Sequence, residues 1–240
     1  GTDAVVHIRT DAHGRMDVRE LERMCAEMQA DAAHPQGVPL IVCATSGTTV
    51  LGAFDDVAAI AEVCRKYDLW LHVDASWGGA AAFLPHDAPE RSVLAGLKNA
   101  HSITINPHKL LGGTHQCSFL LVHDKSVLIP PSHSDGGYLF HVPAEDALDM
   151  ATKTLGCGRR GDALKFYLVW LRYGTQGLGD HIAHGLRMAQ ALWQRLQRIP
   201  SLELGPHADP LFLQICVRPR EQSVRALHAQ LQAHGQFAVD

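Results

Sequence analysis

Four short apolar or β-branched runs, separated by stretches with helical spacing, constrain the fold of this chain more than any other feature. The runs span residues 39–44, 69–73, 102–105 and 117–122. Near-continuous apolar strands are typical of parallel sheets whose two faces are both covered. Between the first two runs, Val57, Ile60 and Cys64 recur at the spacing of one helix face. Strands alternating with helices predict βαβ units, and we expect the α/β class with a mainly parallel sheet.

The remaining segments predict a second, smaller unit. Helical spacing covers residues 163–173 and 178–199, and a strand over 211–217 and a last helix over 221–234 follow. We place a domain boundary so that residues 1–175 belong to the large domain and residues 176–240 begin a small α+β domain. At the start of the chain, residues 4–8 are interpreted as a short strand, and Asp17 with Glu20 has the spacing of a helix capping box.

Composition limits the classes of function. The chain has 240 residues, 46% of them hydrophobic, and a formal net charge of -4, so it can bury a large core and lacks the basic field of a nucleic-acid binder. It has neither a membrane-length apolar run nor a charged-then-apolar leader. Six scattered cysteines without a C-x-x-C pattern are typical of reduced thiols. We expect a cytoplasmic enzyme without a nucleic-acid or membrane partner and, since the histidines form no recognised metal spacing, without a metal site.

Polar side chains that could carry chemistry follow three of the predicted strands. Thr45, Asp74 and Lys109 lie at or just past the strand ends, which is where parallel sheets bind ligands. A lysine amine and a carboxylate placed there match the needs of pyridoxal phosphate (PLP). The amine forms a Schiff base with the PLP aldehyde, and the carboxylate pairs with the pyridinium nitrogen.

The motifs along the chain resemble those of the group II PLP-dependent amino acid decarboxylases, in the branch that contains glutamate decarboxylase and cysteine sulfinate decarboxylase. The matching segments are 44–55, 70–79, 106–111, 116–118, 137–140 and 157–160, and they cover almost the whole chain in family order. The resemblance implies the PLP-dependent transferase-like fold of the aspartate aminotransferase type. It also implies that residues 1–175 are the C-terminal part of the PLP-binding domain.

The resemblance assigns a role to each matching residue. Lys109 would carry PLP as a Schiff base, and Asp74 would keep the pyridine nitrogen protonated. Ser76 takes the place of a small residue against one face of the cofactor ring. Thr45 would hydrogen-bond near Asp74 or the ring hydroxyl. The cofactor phosphate would be bound with the help of Asn106 and His108.

Other parts of the family pattern are incomplete in this chain. Residues 129–150 correspond to the family's mobile catalytic loop, but its tyrosine signature is not reproduced, and Tyr138 or His133 is the candidate proton donor instead. The chain matches roughly half of a usual subunit. We therefore expect a partial subunit, truncated at both ends, that is inactive alone and binds PLP weakly. The full-length enzyme is expected to be a homodimer.

Several interpretations remain open from the sequence alone. Lysines after strands are usually on the surface, Asp74 could cap a helix, Thr45 could cap the Gly47 turn and His108 could be a packing residue. Among functions, decarboxylation of cysteine sulfinate to hypotaurine is preferred, and decarboxylation of glutamate to 4-aminobutanoate is the alternative. Transamination is a weaker rival. A different class, an inactive fragment or pseudoenzyme that serves as a dimerisation partner, also fits the incomplete motifs.

Overall fold

The structure, a computed structural model, describes residues 4–31, 37–128, 160–205, 210 and 212–234. Tyr138 and His133, the candidate proton donors, lie outside the described residues. The helices are α1 (Val18–Ala30), α2 (Val57–Lys66), α3 (Pro107–Leu110), α4 (Asp162–Leu196) and α5 (Val224–Ala233). The strands are β1 (Ile41–Thr45), β2 (Trp70–Asp74), β3 (Ser102–Ile105), β4 (Phe119–Val122), β5 (Leu202–Leu204) and β6 (Val217–Pro219).

The first four strands form one sheet in the order β1-β2-β3-β4. β1 pairs with β2 and β2 with β3 in parallel, as the apolar runs predict. β4 pairs with β3 in the antiparallel direction. The mainly parallel α/β fold is confirmed, with one strand reversed at the edge.

One face of this sheet, which we call the inner face, lies beneath α1 and α2. Its residues on the first three strands are Val42, Ala44, Leu71, Val73 and Ile103. Leu21 and Cys25 of α1 and Ile60 and Cys64 of α2 pack into the same cluster. α1 begins at the Asp17 cap, whose side chain accepts hydrogen bonds from the backbone of Arg19 and Glu20. The inner face therefore holds the first hydrophobic core.

The opposite face, the outer face, has a different composition. It carries Ile41, Cys43 and Thr45 on β1, Trp70, His72 and Asp74 on β2, and Ser102 and Thr104 on β3. Ile41, Cys43 and Asp74 are exposed, and Trp70 and His72 are half-buried.

A second core lies between the 3-10 helix Gly78–Phe83 and α4. Ala81, Leu111, Phe166, Leu178 and Ile182 are buried there. α4 is interrupted at Gly174, whose φ of 67° and ψ of 176° are not helical. Helical segments therefore flank Gly174 as the two helical patterns predict, and the domain boundary next to it stays a prediction.

Two local predictions are wrong, and a third, the last helix, is confirmed with a later start. Residues 4–8 form no strand, and the regular pairing nearby is an isolated bridge between Thr10 and Met16. The strand predicted over 211–217 is replaced by β6, which starts only at Val217, because residues 212–216 have no strand partner. The last helix begins after Ser223, whose side chain caps it.

Candidate active site

The carboxyl ends of β1, β2 and β3 place three polar residues side by side. Thr45 is the register partner of Asp74, and Asp74 is the register partner of Thr104. Because the three positions share a row of the sheet, their side chains project from the same outer face. Thr45 and Asp74 are thus neighbours as the sequence predicts, and Thr104 is a third member of the row that sequence reasoning missed.

The loops that follow β1 and β2 are joined by backbone hydrogen bonds. Ser46 N donates to Asp74 O at 2.8 Å, and Gly78 N donates to Ser46 O at 3.0 Å. Gly47 has a φ of +89°, and a Cβ there would lie 2.9 Å from Gly78 N. Glycine is therefore required at position 47 both by conformation and by the close approach of the second loop.

Hydrogen bonds with Asp55 hold the backbone at the end of β1. One carboxylate oxygen accepts from Thr45 N at 2.8 Å and the other accepts from Met16 N at 2.6 Å, while Asp55 N donates to Thr45 O at 3.0 Å. Asp55 lies within a family motif, but its supporting role was not predicted. The hydrogen bonds hold the Thr45 backbone at the edge of the site.

Ser76 connects the predicted lysine with the predicted carboxylate. Its backbone N–H donates to Asp74 Oδ1 at 2.9 Å, and its hydroxyl accepts from Lys109 Nζ at 2.9 Å. Lys109 Nζ also lies 4.9 Å from the centre of the Trp77 ring, a cation–π contact. The structure brings Lys109, Ser76 and Asp74 into one hydrogen-bonded group, and Trp77 is an addition to the predicted set.

Lys109 reaches this position because β3 is followed directly by the one-turn helix α3. Pro107 at the first helical position has the fixed φ that suits a helix start. Lys109 N then donates to Asn106 O at 3.0 Å. The Asn-Pro-His-Lys motif therefore turns the chain sharply, so that the lysine leaves the surface of the sheet and points back over the strand ends toward Ser76.

His108 contacts the segment that precedes β4. Its Nδ1 lies 2.5 Å from Cys117 O and 3.1 Å from Cys117 N, and its ring lies 4.6 Å from the His115 ring. These contacts match the packing alternative for Nδ1, and a role in phosphate binding would rest on Nε2. Burial, followed by the nearby Asp162 charge, raises the pKa of the Cys117 thiol, which disfavours the reactive thiolate form.

Three buried polar atoms around the strand ends have no hydrogen-bond partner within the described residues. They are Ser46 Oγ, Trp77 Nε1 and Asn106 Oδ1. Buried polar atoms are almost always paired in proteins, so these unpaired ones are compatible with a polar ligand at the strand ends. Together with the Lys109 amine and the exposed Asp74 carboxylate, they fit a cofactor that presents an aldehyde, a ring nitrogen and further polar groups. The predicted PLP residues are compatible with that cofactor.

A metal-binding cluster and a membrane-spanning helix are both absent from the described part of the chain. Within the part of the chain that the structure describes, no group of three or more His, Cys, Asp or Glu side chains could hold a metal ion. None of the helices described is both long and apolar enough to cross a membrane. The cysteines at positions 25, 43, 64, 117 and 216 are free thiols.

Comparison with known proteins gives the family. The conserved domain of pyridoxal-dependent decarboxylases matches residues 4–218. Human cysteine sulfinic acid decarboxylase is 42% identical over 219 residues, which are 90% of this chain and 43% of that protein. An L-aspartate decarboxylase of Metarhizium robertsii is 41% identical over 217 residues, 90% of this chain and 42% of that protein.

A solved structure agrees with the sequence match. The crystal structure of mouse CSAD superposes with a TM-score of 0.77 at 39% identity, covering 90% of this chain and 43% of that one. The chain thus spans about two fifths of the length of the relatives it matches. The resemblance drawn from the motifs is confirmed, and so is the aminotransferase-like fold. The chain belongs to the pyridoxal-dependent decarboxylase family, in the branch of the acidic amino acid decarboxylases.

Proposed function

We propose that this chain forms part of a PLP-dependent carboxy-lyase that removes the α-carboxyl group of an acidic amino acid. The observation that carries the proposal is the group of Lys109, Ser76 and Asp74, in which one residue hydrogen-bonds both the amine and the carboxylate. An amine and a carboxylate at the ends of adjacent strands match the two contacts that a PLP enzyme needs most. The unpaired polar atoms beside them support a polar ligand there.

Each residue has a separate task in this proposal. Bound PLP supplies an electron sink for the electron pair left on Cα when carbon dioxide departs. Lys109 Nζ is the covalent attachment point. Asp74 holds a proton on the pyridine nitrogen through a charge-assisted hydrogen bond, and the Ser76 N–H fixes the direction of its carboxylate.

The remaining predicted residues bind and orient. Asn106, with its unpaired Oδ1, and His108, through Nε2, are proposed to contribute to the phosphate end of the site. Thr45 stays a proposed hydrogen-bonding partner beside Asp74, its neighbour in the sheet. Ser76 keeps its small volume against the proposed ring and adds the hydroxyl that holds Lys109. Tyr138 and His133 remain proposed proton donors from the loop outside the described residues.

Cysteine sulfinate is the proposed substrate. The Asn106–Lys109 motif and the Gln-Cys-Ser segment at 116–118 resemble the acidic-substrate branch, and a relative at 42% identity is named for this amino acid. Aspartate is a second candidate, favoured by the 41% identical Metarhizium relative. Both carry their acidic group one methylene from Cα, whereas glutamate, the alternative drawn from the sequence, carries it two methylenes away.

The test uses the full-length protein. After incubation with PLP and reduction with borohydride, we expect a phosphopyridoxyl group on the peptide that contains Lys109. A separate, unreduced sample should release carbon dioxide from cysteine sulfinate. A difference of one methylene is worth roughly 10- to 200-fold in kcat/KM, so aspartate and glutamate should be separable by direct competition. Lys109→Ala should abolish both signals, and Lys98→Ala is the matched control.

Two outcomes would contradict the proposal. Trapped cofactor that persists in Lys109→Ala would exclude Lys109 as the attachment point. Trapping without carbon dioxide release from acidic amino acids would favour the pseudoenzyme alternative. A cytoplasmic homodimer is part of the proposal, and gel filtration with light scattering tests the dimer directly.

A further inference from the structure

A chain of hydrogen bonds crosses the outer face behind Asp74. Trp70 Nε1 donates to Ser102 Oγ at 2.9 Å. His72 Nδ1 lies 2.8 Å from the same oxygen, and His72 Nε2 lies 3.4 Å from Thr104 Oγ1. Thr104 is in turn the neighbour of Asp74 in the sheet. His72 therefore joins a buried serine to the threonine beside the proposed cofactor carboxylate.

The donors in this chain have a preferred direction. The indole N–H of Trp70 can only donate, so it occupies one lone pair of Ser102 Oγ and cannot accept the serine proton. Among the described contacts of Ser102 Oγ, His72 Nδ1 is then the acceptor available for that proton. Since Ser102 is only 6% exposed, leaving its hydroxyl unpaired would be costly. The arrangement that satisfies every group has the imidazole proton on Nε2.

This direction has a consequence for Thr104. An Nε2–H group donates to Thr104 Oγ1, so the hydroxyl proton of Thr104 must go elsewhere. The next acceptor in its row of the sheet is the carboxylate of Asp74, on the adjacent parallel strand and the same face. Asp74 Oδ1 already accepts from Ser76 N. A second donor from Thr104 would fix the carboxylate from the side opposite to its own loop.

The groups around His72 do not supply a competing charge on the described part of this face. Its register partner on β1 is Cys43, an exposed thiol. Trp70, which precedes it on the face, is stacked on the His101 ring at 5.0 Å. Asp74 is the acidic group that follows His72 on β2. The network is therefore built from neutral donors that lead toward one anion.

We propose that His72, with its proton on Nε2, is a positioning residue that directs the Thr104 hydroxyl to the Asp74 carboxylate. In this role it acts through Thr104 and does not touch the cofactor. The inference rests on the proposed pairing of Asp74 with the pyridine nitrogen. It adds His72, Thr104 and Ser102 to the residues that determine how firmly that pairing is made.

Two substitutions of His72 separate this role from simple packing. The amide nitrogen of glutamine can replace imidazole Nε2 as the donor to Thr104, whereas the amide of asparagine lies near the Nδ1 position and does not reach Thr104. With full-length protein, the PLP dissociation constant of the cofactor-free form is measured for His72→Gln, His72→Asn and Thr104→Val. Cys43→Ala, on the same row and face, is the matched control.

We expect His72→Asn and Thr104→Val each to weaken PLP binding about tenfold, the usual effect of losing one hydrogen bond to a charged group. His72→Gln should stay within about threefold of the wild type, as should Cys43→Ala. The double variant His72→Asn/Thr104→Val should be no worse than either single variant, because both remove the same contact. Equal losses for glutamine and asparagine, or additive losses in the double variant, would overturn the inference.

A second measurement keeps the test independent of the cofactor. In cofactor-free protein, unfolding by urea should show a coupling between His72→Asn and Thr104→Val, and additive effects there would also contradict the contact. Borohydride trapping on the wild type is the separate check of the proposed function. If trapping fails while the coupling persists, the cofactor assignment is wrong and the hydrogen-bond network is not.

Discussion

On the inner face of the sheet Leu71 and Val73 are completely buried beneath α1 and α2, whereas on the outer face Asp74 is exposed and His72 is half-buried. These residues alternate along the same strand, β2. Burying a side chain of this size stabilises the fold by about 1.5–3 kcal/mol, so the inner face contributes stability. The outer face holds hydrogen-bonding groups beside the candidate site. Because side chains alternate between the two faces of a strand, β2 places its core residues on one face and its candidate site residues on the other.

On the outer face we expect the main effect on activity. Asp74→Asn should lower kcat/KM of the full-length enzyme by roughly a hundredfold or more, because a charge-assisted hydrogen bond worth up to about 3 kcal/mol is lost. Its unfolding free energy should change little, because Asp74 is exposed. Steady-state kinetics and urea unfolding measure the two quantities, with Asp68→Asn as the control. An activity within threefold of the wild type would contradict the assignment of the candidate site to the outer face.

The inner face should show the opposite pattern. Leu71→Ala removes a side chain with 0% exposure, and we expect a loss of about 2–5 kcal/mol in unfolding free energy. Ile41→Ala, at a side chain 54% exposed on the outer face, should change it by about 0.5 kcal/mol or less. Chemical denaturation of both variants gives the comparison. Similar losses would mean that the outer face is also covered in solution.

Two glycines with positive φ allow the packing of the loops on the two sides of the sheet to be compared. Gly96 has a φ of +85°, and a Cβ there would collide with the backbone of Ala58 at the start of α2. Gly112, after the site helix α3, has a φ of +69° and open space around it. Gly96→Ala should cost about 2 kcal/mol or more, and Gly112→Ala about 1 kcal/mol. Thermal unfolding should show a larger loss of stability for Gly96→Ala than for Gly112→Ala. The reverse order would contradict the tighter packing around Gly96.

A further difference between the faces is a dependence of stability on pH. Burial, with a smaller contribution from Cys25, raises the pKa of Cys64 from 9.0 to about 11. The unfolded chain loses this proton first as the pH rises, so the stability contributed by the buried thiol falls between those two values. Cys64→Ala should show a shallower decline of unfolding free energy in that pH range. Identical slopes for Cys64→Ala and the wild type would refute this.

The strands of the sheet could be predicted because their signal is local. The runs that became β1, β2 and β3 are short, apolar and bounded by turns. The direction of β4 could not, because hydrophobicity does not encode strand polarity. The strand predicted over 211–217 is wrong for residues 212–216, which have no strand partner. The side chains of Gln214 and Cys216 hydrogen-bond the loop after β1, at Thr48 O and Val50 O. Such long-range contacts have no signature within a short window of sequence.

In the candidate site, too, some features were predictable from the sequence and others were not. The placement of Lys109, Asp74 and Thr45 near one another was predictable because the carboxyl ends of neighbouring parallel strands lie at the same edge of the sheet. The double contact of Ser76, the ring of Trp77 near Lys109 and the support by Asp55 depend on how two loops meet across the sheet. The packing of His108 against Cys117 likewise follows from the reversal of the chain before β4.

The class of fold, the family, and the lysine and carboxylate that suggest the chemistry can all be inferred from the sequence alone. Each of them depends on residue type, spacing and short-range pattern. Only the tertiary structure decided which groups act together. The register of β1, β2 and β3 aligned Thr45, Asp74 and Thr104 in one row. Loop closure brought Lys109 to Ser76, and the outer face linked His72 to Thr104. Hydrogen bonds between residues about thirty positions apart form only after the strands that carry them have paired. Local sequence therefore cannot specify these bonds.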